Sequence, residues 1–80
     1  MKNHNKSFGK VLRRLRKERG GTQESLAFDS KLDRTYISLL ELGSRSPTLD
    51  TLIALRDALH VSLSELAALI EEEMGSGDGQ

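Results

Sequence analysis

The segment "TQESLAFDSKLDRTYISLLEL", residues 22–42, decides the fold of this 80-residue chain. Thr22 is a favourable N-cap residue at the start of a short helical segment, and Asp33 is a second N-cap candidate. Ile37 and Leu40 follow Asp33 at the spacing of one helix face. Only about three residues separate the two segments. The pattern therefore predicts two short helices joined by a tight turn, which is the helix-turn-helix unit.

Three further helical segments surround this unit. A first helix is predicted to start at Ser7 and to end before Gly20, a fourth to start at Thr48, and a fifth to start at Ser62. No segment alternates between apolar and polar residues with a period of two, so no strand is expected. We expect an all-α fold, a compact five-helix bundle that contains the helix-turn-helix.

The chain is short enough to form one domain. We expect a flexible N-terminal arm over residues 1–6 and a folded domain over residues 7–74. The glycine-rich end, residues 75–80, has the composition of a disordered tail.

Composition narrows the class of protein. There is no cysteine, no apolar run of membrane-spanning length and no secretory signal, so an intracellular, cytoplasmic protein is expected. No combination of residues resembles a catalytic set or a phosphate loop, and His4 and His60 have no partners at metal-ligand spacing. We expect neither an enzyme nor a bound cofactor or metal.

The two halves of the chain carry opposite charge. Residues 1–45 contain eleven Lys and Arg against five Asp and Glu, whereas residues 46–80 contain one basic residue against seven acids. The net charge of zero therefore conceals a basic half and an acidic half. A basic surface with an acidic surface turned away from it favours binding to nucleic acid, although charges of this kind also serve simply to solvate helices.

The start of the third helix has the residue types that read DNA. Arg34 and Thr35 precede Tyr36 at the amino end, on the sides that Ile37 and Leu40 leave exposed. An arginine donates two hydrogen bonds to guanine, a threonine contacts a thymine methyl, and a tyrosine bonds a phosphate or packs on a sugar. We predict that these three residues read bases in the major groove. The alternative for Tyr36 is an amphipathic residue that packs on the following loop.

Two other sites are suited to phosphate. Arg45 in the loop "GSRSP", between Ser44 and Ser46, can hold a phosphate or reach an adjacent base. At the start of the second helix, Gln23 and the free N–H groups behind Thr22 can bind a phosphate as well.

The motifs "VLRRLRKERGGTQESLA" and "LDRTYISLLELGSRSPTLDTL" resemble the phage-repressor-like helix-turn-helix family of the Xre/Cro type. The run from Leu32 to Arg45 looks most like the controller proteins of restriction–modification systems. The resemblance covers about residues 8–69. It implies a lambda-repressor-like domain that binds a pseudo-palindromic operator in double-stranded DNA as a homodimer and regulates transcription, as repressor or activator, by blocking or recruiting RNA polymerase.

The resemblance also implies individual roles. Ser38 and Leu39 would face bases beside Arg34 and Thr35, although Leu39 could instead be covered by the loop. Arg16 would form a structural ion pair with Glu41. The fifth helix would supply the dimer interface, and its apolar stripe, which could also serve only the core of one chain, consists of Leu63, Leu66, Leu69 and Ile70.

This chain departs from the family pattern in three places, one of which is Arg56, at a position of the fourth helix that is usually small. Gly21 stands where an apolar residue usually precedes the Thr-Gln pair, and Lys31 stands in the turn where Gly or Asn is usual. If Lys31 is left-handed, we expect it to cost about 1 kcal/mol. The rival function is a protein-interaction module, such as an antitoxin, whose basic face binds an acidic protein.

Overall fold

A computed structural model of the chain describes residues 3–78, with side chains from 4 to 75. The five helices are α1 (Asn3–Glu18), α2 (Gln23–Ser30), α3 (Arg34–Glu41), α4 (Leu49–Leu59) and α5 (Leu63–Asp78). They make up all the regular secondary structure of the described range. The prediction of an all-α five-helix bundle is confirmed.

One hydrophobic core joins the five helices. Helix α1 packs against α3 and α5, α2 packs against α3 and α4, and α4 packs against α5. Burying one Leu, Ile, Val or Phe side chain contributes about 1.5–3 kcal/mol, so this core is the main source of stability. Its buried residues are Phe8, Val11, Leu12, Leu15, Leu26, Ala27, Ile37, Leu40, Leu55, Leu59 and Leu66.

The turn between α2 and α3 is set by a left-handed residue. Lys31 has φ of 61°, and the amide of the next residue, Leu32, donates to the carbonyl of Ala27 at 3.0 Å. This is the Schellman arrangement, which ends a helix and turns the chain sharply. The conformation that favours glycine is therefore held by a lysine. As a result, only three residues separate α2 from α3, and the two helices pack against each other.

Two predicted boundaries are wrong. Helix α1 begins at Asn3 rather than at Ser7, and Ser7 is buried within it, so residues 3–6 are helical and not a flexible arm. The extra turn is stabilised by contacts with the loop that follows α3, which is distant in sequence. Tertiary packing therefore outweighs the local capping preference. Helix α5 continues through residues 75–78, which we predicted as a disordered tail. Residues 1–2 and 79–80 lie outside the described part of the chain.

The helix starts differ in how they are capped. The hydroxyl of Thr22 accepts from the Ser25 amide at 3.0 Å, and the Ser25 hydroxyl accepts from the Thr22 amide at 2.9 Å. Thr48 caps α4 in the predicted way, accepting from the Thr51 amide. Asp33 occupies the N-cap position of α3, but its side chain makes no capping hydrogen bond. The first turn of α3 is therefore open to a ligand.

None of the helices within residues 3–78 is both long enough and apolar enough to cross a membrane.

Candidate nucleic-acid interface

The amino end of α3 is exposed, while the inner face of the same helix is completely buried. Ile37 and Leu40 are each 0% exposed, whereas Arg34 and Thr35 are exposed. Because the two buried side chains prevent the helix from rotating, the outward direction of Arg34 and Thr35 is fixed by the core. The structure therefore presents a guanidinium and a hydroxyl at the open end of a rigid helix.

Ser38 and Leu39 lie one turn farther along α3 and are half-buried. Ser38 lines an open cleft of about 270 Å³ that also contains Arg13 and Gln23. Leu42, just after the helix, is 67% exposed at the edge of this cleft. The predicted reading surface thus continues from the end of α3 into a polar cleft that α1 and α2 share.

Tyr36 has a different environment from Arg34 and Thr35. Its ring is half-buried against the core, and its hydroxyl lies 3.2 Å from the Thr51 hydroxyl of α4. Thr51 is itself buried and receives a hydrogen bond from the hydroxyl of Thr48 at 3.0 Å. Tyr36 therefore braces α3 against α4. A base or phosphate contact by Tyr36 stays a prediction.

The start of α2 leaves amide donors available. Thr22 and Ser25 satisfy each other's amides, but the amides of Gln23 and Glu24 in the first turn have no carbonyl four residues earlier within the helix. The hydroxyl of Thr22 accepts one hydrogen bond and still has its own hydrogen to donate. Such a helix start is suited to hold a phosphate oxygen.

An ion pair holds α1 to α3 beside this helix start. The Nε of Arg16 lies 2.6 Å from Oε2 of Glu41, its Nη2 lies 2.9 Å from Oε1, and its Nη1 donates to the Gly21 carbonyl. The two side chains are 11% and 4% exposed. The hydrogen bonds to Glu41 raise the pKa of Arg16; burial opposes this rise, and the Coulomb attraction of the same carboxylate adds a smaller increase. The pair implied by the family resemblance is present.

Gln23 is tied to this ion pair. Its Nε2 donates to Oε1 of Glu41 at 3.0 Å. A primary amide has two hydrogens on nitrogen, so one is left for a ligand. Glu41 therefore positions the amide of Gln23 at the start of α2.

The basic loop after α3 is held by the amino end of α1. Gly43 has φ of 78°, and a Cβ added there would lie 2.9 Å from Cα of Lys6. The Ser46 hydroxyl donates to Oδ1 of Asn5 at 2.9 Å. Ser44 and Arg45 are exposed. The Ser46 hydroxyl therefore donates its only hydrogen within the chain, whereas the side chain of Arg45 remains accessible on a loop that is held in place.

Sequence reasoning missed two residues of this surface. Arg13, which is exposed, lines the cleft with Gln23 and Ser38. Its position three residues before Arg16, one helix turn away on the same side of α1, was a signal that could have placed it there. Asn5 was assigned to a flexible arm, and no local pattern indicates its contact with Ser46.

The predicted dimer interface divides into two groups. Leu63, Leu69 and Ile70 are half-buried and pack against the core of the same chain, so their place in a dimer interface stays a prediction. Leu66 is 1% exposed and belongs to the core of the single chain, so its assignment to an interface is wrong. Its side chain is part of the hydrophobic core that the five helices share. Leu49 at the start of α4 is an exposed apolar residue, with 65% of its surface open to solvent.

The comparisons of this chain with known proteins agree with one another on its family. The family model described as Helix-turn-helix matches residues 12–66. The chain is 45% identical over 67 residues to Control protein C.MunI of Mycoplasma sp, covering 82% of this chain and 90% of that protein.

Two solved structures are similar as well. The restriction–modification controller protein C.AhdI from Aeromonas hydrophila has a TM-score of 0.79 and 40% identity, covering 81% of this chain and 98% of that one. The controller protein C.Esp1396I, as a tetramer in complex with its natural 35 base-pair operator, has a TM-score of 0.86 and 35% identity, covering 92% of this chain and 97% of that one.

Proposed function

The chain belongs to the helix-turn-helix family, and within it to the restriction–modification controller proteins, and we propose that it is a transcriptional regulator that binds a specific operator in double-stranded DNA. The observation that carries the proposal is the open amino end of α3, with Arg34 and Thr35 exposed on a helix whose inner face is 0% exposed. A controller protein of the same fold is known in complex with its operator.

Base reading would occur at this helix end. An α-helix fits the major groove, and its first residues reach base edges. Arg34 would donate two hydrogen bonds to a guanine, and Thr35 would contact a thymine methyl or donate to a base. Because Ile37 and Leu40 hold α3 in place, its backbone is already ordered before DNA binds. Binding therefore costs little conformational entropy beyond that of the base-reading side chains. Ser38 and Leu39 would border the same base pairs.

Phosphate contacts would fix the register of α3 in the groove. On one side, the first-turn amides of α2, the Thr22 hydroxyl and the Gln23 amide would hold one phosphate, and Arg13 would approach it across the cleft. On the other side, Arg45 and Ser44 would hold the backbone or reach a neighbouring base. Tyr36 would support this arrangement by holding α3 against α4. Ser46 would hold the loop in place through its hydrogen bond to Asn5.

We propose that the functional unit on DNA is a homodimer. Leu49 of α4 and the half-buried Leu63, Leu69 and Ile70 of α5 supply the apolar surface for a two-fold contact. Two-fold symmetry implies a pseudo-palindromic operator with half-sites about 34 Å apart, one turn of the duplex. A 35 base-pair operator in the C.Esp1396I complex holds a tetramer of that protein, so we propose that two dimers occupy neighbouring sites here as well.

Regulation would follow from operator occupancy. A dimer on the promoter would exclude RNA polymerase, and one placed beside it would recruit the polymerase. A primary role in binding another protein, as an antitoxin does, is not favoured, because the similar proteins reported above are control proteins.

The experiment that tests the proposal is selection of bound duplexes from a random DNA library with the purified chain. We expect enrichment of a pseudo-palindrome. Affinity for it should fall by on the order of 10³-fold or more between about 50 and 200 mM salt, because several phosphates are neutralised. No enrichment of any sequence, or binding that salt does not weaken, would refute the proposal.

A further inference from the structure

Leu42 is an exposed apolar residue at the carboxyl end of α3. Its side chain is 67% exposed, although the nearby Leu40 is 0% exposed and belongs to the core. A single exposed leucine needs no explanation by itself, because folded proteins expose many apolar groups. Its position relative to the predicted base-reading residues is what points to a role for Leu42.

Leu42 lies on the same side of α3 as these base-reading residues. At about 100° per residue, Leu42 is only about 20° from Thr35 around the helix axis. Ser38 and Leu39 also lie within about 60° of Thr35, whereas the buried Ile37 is on the opposite side. Along the axis Leu42 is about 10 Å beyond Thr35, so the two side chains reach different base pairs.

The backbone holds Leu42 in this direction. Its φ of −78° and ψ of −10° are helical, and its amide donates to the Ser38 carbonyl at 3.0 Å. The chain leaves the helical path only at the next residue, the buried Gly43, whose φ is 78°. The Ser44 amide then donates to the Leu39 carbonyl at 2.9 Å, which closes the end of the helix. The side chain of Leu42 therefore extends from an ordered helical backbone.

The other residues around Leu42 are polar. It borders the cleft that Arg13, Gln23 and Ser38 also line. Arg13 and Gln23 can donate hydrogen bonds to a phosphate, whereas a leucine side chain has no donor. Among the groups on the base edges in the major groove, the C5 methyl of thymine is the apolar one. A leucine on the base-reading side of the helix therefore has one chemically matching partner in the groove.

We propose that Leu42 determines specificity for a thymine in each half-site by packing against its C5 methyl group; the proposal rests on the function proposed above. The contact removes apolar surface of both groups from water, which favours thymine over the bases that carry no methyl. No hydrogen bond is involved, so the preference depends on the methyl group alone. The operator can therefore be altered at this one group without a change in base pairing.

The test replaces the thymines of one half-site of the selected operator by deoxyuridine, one position at a time, and measures affinity by gel shift. Uracil pairs with adenine as thymine does and differs only in lacking the methyl group. At one position or more, the replacement should weaken binding by the wild-type chain about threefold to tenfold, as expected for one buried methyl group. At one of these positions, Leu42→Ala should bind the thymine and uracil duplexes equally.

Two further variants serve as controls. Leu42→Met keeps an apolar side chain of similar size and should retain the preference for thymine. Phe28→Ala is the matched truncation, because Phe28 is 83% exposed but lies on α2, outside the cleft that Leu42 borders. It should leave the ratio of thymine to uracil affinities unchanged at every position. Each ratio is taken within one variant, so a change in stability or in overall affinity cancels.

The outcomes separate the two proposals. If the wild-type chain enriches no duplex, the proposed function fails, and this inference fails with it. If the chain binds its operator but no uracil replacement weakens binding, only the inference is overturned. The same holds if Leu42→Ala remains as sensitive to the missing methyl group as the wild-type chain at every position, because Leu42 would then contact only the DNA backbone or no DNA.

Discussion

Replacing Arg16 by alanine tests the ion pair that joins α1 to α3 behind the reading surface. The substitution removes three hydrogen bonds, two to Glu41 and one to the Gly21 carbonyl. The Glu41 side chain is only 4% exposed and would keep the Gln23 amide as its hydrogen-bond donor. A carboxylate shielded from water would thus lose its neutralising charge.

The expected loss is large for a protein of this size. Removing one partner of a buried ion pair costs about 3–5 kcal/mol, because the remaining charge is buried without compensation. A small domain has a free energy of unfolding of only about 5 kcal/mol, so Arg16→Ala should remove most of it. Because the pair raises the pKa of Arg16, its contribution is present below the ordinary arginine pKa and is lost only in strong alkali.

Arg14→Ala is the matched control, two positions earlier on the same helix. Its guanidinium is 3.8 Å from Glu73, and the Arg14 side chain is 44% exposed. Ion pairs exposed to water contribute about 0–1 kcal/mol, so this change should have little effect. The two arginines therefore differ in burial and in the number of hydrogen bonds, but not in side-chain chemistry.

The assay is urea unfolding followed by far-ultraviolet circular dichroism. If Arg16→Ala does not fold, Arg16→Lys should show an intermediate loss, because lysine keeps the charge but not the paired donors. Adding Glu41→Ala to Arg16→Ala should recover part of the stability by removing the unpaired charge. The reasoning is refuted if Arg16→Ala costs less than about 1 kcal/mol, or if Arg14→Ala costs as much.

Three further predictions address reading, helix ends and packing. Arg34→Ala should cost about 1–3 kcal/mol on the selected operator and relax the preference at one base pair, whereas Gln23→Ala should weaken all sequences alike; gel shifts that show the same loss on every sequence for Arg34→Ala would contradict its reading role. His60→Gly should raise the free energy of unfolding by about 0.5–1 kcal/mol, because His60 has φ of 57°, and an unchanged urea midpoint would count against this. Gly9→Ala should destabilise by about 1–3 kcal/mol, because its Cβ would lie 2.5 Å from the Glu41 carbonyl oxygen; equal stability in urea would mean that α1 and α3 can separate without cost.

The reading end of α3 could be predicted because it depends on a local pattern. Ile37 and Leu40 identify the inner face by their spacing, so the exposure of Arg34 and Thr35 follows from helix geometry alone. The same holds for the core stripe of α1. The exposed position of Phe28 is equally local, because Leu26 and Ala27 occupy the inner face of α2.

The contacts that the other site residues make could not be predicted from the sequence. Tyr36 and Leu66 are apolar or amphipathic residues at helical spacing, and such spacing does not tell whether a face meets the same chain, a second chain or DNA. The structure places the hydroxyl of Tyr36 on Thr51 and Leu66 in the core. The start of α1 was misplaced for a related reason, since Asn5 is stabilised by contact with Ser46 rather than by a neighbour in sequence.

The amino-acid sequence by itself determined the five helices, the tight turn between the second and third, and the side of α3 that faces outward. These features depend on periodicity and capping within a few residues. Only the tertiary structure decided which polar groups are left for DNA, because their partners are distant in the chain. The hydrogen bonds Tyr36–Thr51, Gln23–Glu41 and Asn5–Ser46 join residues 15, 18 and 41 positions apart. A hydrogen bond requires its two atoms to lie within about 3 Å, and that distance is set by how the helices pack.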